Sequence, residues 1–422
     1  MENCGERLNP LRHYKTALGL KAERTHIVST NNPSSIEQNQ TLHVQFPSLG
    51  AHDVVVPGTS RLTFDLSVES DDADYTIVDN ISRSLVKKIV VSLESVEIFS
   101  LSDADVLLNY CDLWKTKNSR KDAVMEGIDN SALTKKRLRY PNVADPDIAV
   151  KTFKKKFCIP LDFELLNSHA PFFQKALSDR LTYDFEIASY SDIIKSSDQE
   201  STLSITNICL EYDVVSSSEL ARVIRDQYQN KCVIYFEKIL RHAKVARNAS
   251  DTRWNINLSS PSRSLKGILI LCKKVENRFD KKTEDFFNPE ITKCEISIEG
   301  KPNQLFSNGI QPYHHFEMTR GFLGGGKCNV LPTIDSICKN TFNTDVRLKD
   351  YLTTKYGLFL DCRSSDDNVL HGSGRRVDSS SDGISILIEK EKQDPQNLDV
   401  YVFVFFDAQM NIESGRLKDV IY

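Results

Sequence analysis

Apolar and polar residues alternate with a period of two in short runs spread along the chain. Thr41–Phe46 reads TLHVQF and Arg61–Val68 reads RLTFDLSV, the pattern of strands with one face buried and the other wet. Leu85–Leu93, Ser95–Phe99, Phe153–Phe163, Leu181–Ala188 and Leu203–Val214 continue it through the first half. The second half offers Lys231–Ala246, Thr252–Leu258, Leu265–Val275, Ile291–Glu299, Tyr356–Cys362, Gly383–Glu389 and Leu398–Asp407. Each half therefore holds about seven predicted strands.

Helical spacing interrupts this pattern in a few places. Ser102 and Asp105 form a capping-box-like start, after which Leu107, Cys111 and Trp114 share one face. Ser216 and Glu219 form a second box near mid-chain, followed by a stripe of Leu220, Val223, Ile224 and Tyr228. This stretch, Ser216–Gln229, reads as a linker helix. Short helices over Tyr313–Phe322 and Asp345–Thr353 flank a glycine turn at Gly324–Gly326. Pro141 and Pro146 break Thr116–Lys151 into a charged loop.

Three pairings suggest that the halves are duplicates. Ser82-Arg83-Ser84-Leu85 and Ser262-Arg263-Ser264-Leu265 each head an apolar run. Cys158–Asp162 and Leu358–Asp361 each close one, and the last strand of each half ends in an acid, Asp213 and Asp407. A strand set with one apolar face buries it against a second sheet, and eight strands wound as a jelly roll are a common solution with unequal loops. The expected fold is all-β: two tandem jelly-roll β-sandwiches with short helices in the long loops and a linker helix between them. The expected boundaries are an N-terminal arm at 1–40, a first jelly roll at 41–215, the linker at 216–230, a second jelly roll at 231–407 and a tail at 408–422.

A length of 422 residues fits two domains better than one core. Lys and Arg number 54 against 58 Asp and Glu, a net charge of −4, so a dedicated phosphate-neutralising protein is not indicated. No apolar stretch approaches the roughly 20 residues of a membrane span, and no secretory leader is readable at Met1–Glu6. The expectation is synthesis in the cytosol, with the product kept there or in the nucleus. In that compartment the ten cysteines, none in CxxC spacing, read as buried hydrophobes and not as disulfides or zinc ligands.

A tandem jelly roll also suits metal-dependent enzymes, so the nine histidines matter. No HxH occurs; His314 and His315 are adjacent and would face opposite ways on a strand. Gly321–Lys327 lacks the Ser or Thr of a phosphate loop, since Cys328 follows the lysine. Ser216–Ser218 and Ser379–Ser381 lack a nucleophile-elbow context. No catalytic, cofactor-binding or metal residue is expected, and no cofactor. The basic clusters Lys135–Arg139 and Lys154–Lys156 read first as solvated loops or subunit contacts, with nucleic acid as the lesser reading.

The segment SRSLVKKIVVSLESVEIF from Ser82, the junction Ile159–Phe163, the helix Ser216–Gln229 and the closing Asp399–Val420 resemble the double jelly-roll major capsid proteins, especially those of polinton/maverick elements and adintoviruses. The resemblance runs from about Thr41 onward. It implies a homotrimer of pseudo-hexameric outline that tiles an icosahedral virion, with penton or minor capsid proteins as further partners. The aromatic loops at Pro171-Phe172-Phe173 and Tyr313-His314-His315-Phe316 then become expected trimer contacts, through Phe172, Phe173, Tyr313 and Phe316. A lectin-like or other ligand-binding tandem sandwich is the alternative.

Overall fold

The computed structural model describes residues 23–29, 33–70, 76–78, 80–94, 96–114, 124–127, 151–167, 171–195, 202–259, 262–275, 283–302, 312–325, 346–363, 374–377 and 383–422. The first half supplies eight main strands: β1 (Glu23–Ser29), β2 (Thr41–Gln45), β3 (Arg61–Ser70), β4 (Val86–Leu93), β5 (Val96–Ser102), β6 (Lys151–Pro160), β7 (Leu181–Ile187) and β8 (Thr202–Ser216). They form two antiparallel sheets ordered β1-β8-β3-β6 and β2-β7-β4-β5. The second half supplies β9 (Lys231–Arg247), β10 (Arg253–Leu258), β11 (Ser262–Lys274), β12 (Ile291–Ile298), β13 (Lys301–Pro302), β14 (Leu358–Asp361), β15 (Ile384–Lys390) and β16 (Leu398–Glu413). Its sheets run β9-β16-β11-β14 and β10-β15-β12-β13. Adding eight to each strand of the first unit reproduces the second. Both are eight-stranded jelly rolls.

This equivalence sorts the three sequence pairings. Cys158–Asp162 and Leu358–Asp361 lie at the ends of the equivalent strands β6 and β14, and Asp213 and Asp407 lie on the equivalent β8 and β16. The Ser-Arg-Ser-Leu pair is not equivalent. Residues Ile81–Ser84 form a helical turn ahead of β4, whereas Ser262–Leu265 open β11, whose counterpart is β3. The same letters serve different local structures because four residues carry too little information to fix a register.

Other boundaries shift as well. The expected arm contains β1, which pairs along its whole length with β8 from Glu23↔Ser216 to Ser29↔Leu210. The expected tail contains the end of β16 and a further strand, β17 (Arg416–Ile421), joined by a tight hairpin. Ser216 finishes β8, and Ser217 caps the linker helix α2 (Ser218–Gln229), accepting a 3.3 Å hydrogen bond from the Leu220 amide. The earlier helix α1 spans Ala104–Leu113, with Asp103, not Ser102, in the capping position. Helices α3 (Pro312–Arg320) and α4 (Leu348–Thr353) stand where helices were expected. Gly321–Gly325 prolongs α3 as one wide π-type turn instead of a free loop. Most of Thr116–Lys151, and Gly326, lie outside the described residues.

The buried side chains form two clusters, and neither respects the boundary between halves. The first fills the space between the sheets of the first unit, but also takes in Phe236 from β9 and Ala408, Met410 and Ile412 from β16. The second fills the other sandwich, but also takes in Leu101, Ala104, Leu107, Tyr110, Leu113 and Trp114 from the first half. Each unit therefore completes its core with residues borrowed from the other. In β11 a glycine serves this packing: a Cβ at Gly267 would sit 2.3 Å from the Phe359 ring. That ring stacks on Phe322, after α3, at 4.0 Å.

Candidate functional site: the junction between the two jelly rolls

Because both cores cross the boundary, the junction encloses polar as well as apolar side chains. The turn Ile81–Ser84 projects its Arg83 side chain inward, where only 5% of it is exposed. Arg83 Nε donates to Asp112 at 3.3 Å, and its terminal nitrogen donates to Asp162 at 2.7 Å. Asn80 Nδ2 donates to the same Asp112 oxygen at 2.9 Å. Burial works against the guanidinium charge, but Asp112 and Asp162 outweigh it and hold the Arg83 pKa above its ordinary value. Ser84 accepts a 3.1 Å bond from Asn109, and Lys87 reaches Asp105 at 2.8 Å. Asp112, Asn109 and Asp105 all belong to α1. The turn and β4 thus clamp α1 along one side.

The other side of α1 enters the second unit. Trp114 meets Phe316 of α3 at 5.9 Å and Tyr351 of α4 at 6.2 Å; Tyr110 meets Phe286 edge-on at 4.8 Å. Beneath them, His315 Nδ1 pairs with the Tyr356 hydroxyl at 2.9 Å. Thr319 donates to the Gly357 carbonyl at 2.9 Å, and Tyr351 to the same oxygen at 2.6 Å. Burial, helped by neighbouring His314, lowers the His315 pKa to about 4, so the imidazole is neutral over the physiological range. This is a packed aromatic socket with internal hydrogen bonds.

Four residues were expected at contacts between chains, and three have their rings enclosed within this one. Phe172 is 1% and Phe173 0% exposed. Phe172 packs edge-on against Phe46 at 5.7 Å, while Arg225 of α2 lies over Phe173 at 5.5 Å. Phe316 is 8% exposed and belongs to the socket. The expectation that these loops present aromatic rings outward is corrected for all three: Pro171-Phe172-Phe173 tucks under the first unit's sheets, and α3 turns Phe316 toward α1. Tyr313 lies in α3, and its side chain is outside the described residues.

The remaining candidates are dispersed. No group of three or more His, Cys, Asp or Glu with metal-site geometry occurs among the described residues. The seven described cysteines are free, and burial raises Cys272, Cys294 and Cys362 to about 12, far from thiolate chemistry at neutral pH. Of the basic clusters, Lys135–Arg139 lies outside the described residues; Lys155 and Lys156 are exposed on the edge strand β6. Lys156 belongs to a charged network on the outer face of the first unit. There Glu211 accepts from Thr63 at 2.8 Å and from Arg61 at 3.0 Å, with Lys156 at 3.5 Å. Burial opposes the Glu211 charge, but Thr63 and Arg61 outweigh it and hold the carboxyl below its usual range. His26 Nδ1 of β1 donates to Asp213 at 2.8 Å, and this bond, with Arg24, lowers the Asp213 pKa. Lysines and ion pairs on an edge strand discourage uncontrolled strand pairing.

Sequence reasoning missed the junction. Its signals were present as letters: an arginine after a helix-initiating turn, and a tryptophan closing an amphipathic helix. Nothing local says that this helix completes the other half.

No protein-family model and no curated protein matches the chain. Solved structures do share its fold. The PBCV-1 virus capsid model aligns over 96% of this chain and 98% of its own, at 11% identity and a TM-score of 0.61. The mavirus major capsid protein aligns over 94% and 90%, at 11% identity and a TM-score of 0.55. The faustovirus major capsid protein aligns over 94% and 91%, at 10% identity and a TM-score of 0.57. At such identities the structural likeness shows a shared double jelly-roll fold.

Proposed function

We propose that this chain is a viral, or virus-derived, major capsid protein that forms homotrimers of pseudo-hexameric outline and tiles an icosahedral shell. The observation that carries the reading is the repeated strand order in one chain, matched end to end by structures described as virus capsid proteins. Two eight-stranded units per chain give six per trimer, and a ring of six similar units packs hexagonally from a single gene product. Units that share cores, as these do, give a rigid building block with fixed geometry between its two sandwiches.

On this reading the work is mechanical and the chain is not an enzyme. The polinton/maverick and adintovirus type is the proposed lineage, on the strength of the sequence segments that resemble it. The proposed units are 23–216 and 231–421, with α2 between them. Tyr313 remains a proposed contact residue between copies. Penton or minor capsid proteins are proposed partners, and the net charge of −4 gives no support to extensive nucleic-acid contact. The proposed location is the virion, after synthesis in the host cytosol.

The test is the mass of the purified protein in light scattering. A species three times the 47.9 kDa chain mass supports the reading, and negative-stain images of hexagonal capsomers or shells extend it. A protein that stays monomeric at micromolar concentration, and melts higher with a glycan, overturns it in favour of a lectin-like sandwich.

A further inference from the structure

The contact between the two units of the chain joins unlike sides. The first unit presents the edge formed by β5 and β6, together with α1; the second presents its terminal strand β9. Phe163, just after β6, meets Phe236 of β9 at 5.7 Å. Arg241 of β9 donates at 2.6 Å to Asp103, which lies between β5 and α1. Under this cover Phe236 is only 4% exposed.

A contact between unlike sides leaves one half of itself unused on each unit. Strand order identifies the two halves. In the first unit the equivalent of β9 is β1, at the outer edge of its sheet and laddered to β8 alone among the described residues. Arg24, Thr25, His26 and Val28 are exposed there, Val28 at 52%. In the second unit the equivalents of β5 and β6 are β13 and β14, and α3 follows β13 as α1 follows β5. Lys301 and Pro302 of β13 are exposed, as are His314 and Glu317 of α3. The chain therefore carries an uncovered edge of the β9 kind and, on its other unit, an unused edge of the kind that covers β9.

We propose that these edges meet between copies: β1 of one chain packs against the β13–α3 edge of the next, as β9 packs against β5 and α1 within the chain. The occupant is a second copy because the cover that β1 lacks is the one this chain has to spare. Repeated three times about an axis, the contact closes a ring of six units. It presupposes the trimer of the proposed function and names the surfaces through which that trimer closes.

Light scattering on the full-length protein reads the contact. Val28→Glu places a carboxylate at an already exposed position, so circular dichroism and melting temperature are expected to stay unchanged. The expected result is a trimeric parent and a variant whose association is weaker by about thirtyfold or more, the range of an interface hot spot. Val275→Glu, at a valine 54% exposed just beyond β11, is expected to remain trimeric. A photoreactive benzoylphenylalanine in place of Val28 gives a second readout that stands even if the charged variant misfolds. Irradiated mixtures of light- and heavy-nitrogen chains are expected to crosslink residue 28 of one copy to the second unit of another, near Lys301 or α3. The inferred contact is overturned, and the trimer left standing, by a folded Val28→Glu variant that stays trimeric, by equal dissociation of Val275→Glu, or by crosslinks confined to one chain or to first units. A monomeric parent would sink both.

Discussion

Trp114→Ala is the sharpest test of the shared core, because the residue belongs to one half in sequence and to the other in packing. Its ring is 1% exposed and touches Phe316, Tyr351 and Tyr110. Removing a fully buried tryptophan typically costs about 3–5 kcal/mol, part lost transfer energy and part cavity. The socket here is built from α3, α4 and Phe286, which are themselves packed on strands, so little collapse is available to soften the loss. With a urea slope of a few kcal/mol/M, as expected for a chain this long, the unfolding midpoint should fall by on the order of 1 M. The chain has only two tryptophans, and the other, Trp254, is 0% exposed inside the second sandwich. In the Trp114→Ala variant, fluorescence therefore reports the second unit alone. The expected result is that Trp254 unfolds earlier although its own unit is unaltered in sequence. An unmoved Trp254 midpoint, or a loss below about 1 kcal/mol, would refute the idea that α1 is part of the second core.

Arg83→Met should destabilise the protein by about 3–5 kcal/mol, because the buried Asp112 carboxylate loses the guanidinium charge beside it; an Arg83→Met/Asp112→Leu double variant that recovers much of this in denaturant melts would identify that carboxylate as the cause. His315 titrates near 4 when folded and near 6.5 when unfolded. Its contribution is therefore complete above pH 6.5 and is lost as pH falls toward 4, by on the order of 3 kcal/mol in total. His315→Gln should flatten that part of the stability–pH profile; an unchanged slope would count against the assignment. Gly415 has φ +72°, and a Cβ there would come within 2.7 Å of the Ala176 carbonyl oxygen. Gly415→Ala should cost about 1–3 kcal/mol in thermal melts, and a neutral result would mean that the β16–β17 hairpin is free to move away from the first unit.

Period-two alternation was enough to set the fold class, because strand burial is written locally: TLHVQF became β2, with Leu42 and Val44 buried between exposed neighbours, and RWNINL became β10 with the same rhythm. The helices near residues 105, 220 and 315 were legible for the same reason. Two of the three repeat pairings fall on equivalent strands, although the expected strand ends at Asp213 and Asp407 are not ends: β8 runs on to Ser216 and β16 to Glu413. The Ser-Arg-Ser-Leu pairing failed because a tetrapeptide adopts whatever structure its surroundings stabilise: Arg83 turns inward to Asp112 and Asp162, whereas Arg263 remains exposed. Likewise, Phe172, Phe173 and Phe316 looked available because loops usually lie outside, yet their exposure depends on what folds over them.

What the sequence alone determined was seven of the eight main strands in each half and their division into two similar halves. What only the tertiary structure decided was which half each piece serves: β1 closing a sheet from within a presumed arm, α1 completing the far core, and β16 reaching back with Ala408, Met410 and Ile412 into the near one. The physical reason is range. Alternation and capping act over a few residues and leave their mark in adjacent letters, whereas apolar burial has no direction and no sequence distance, so a hydrophobic face records that it must be covered without recording by what.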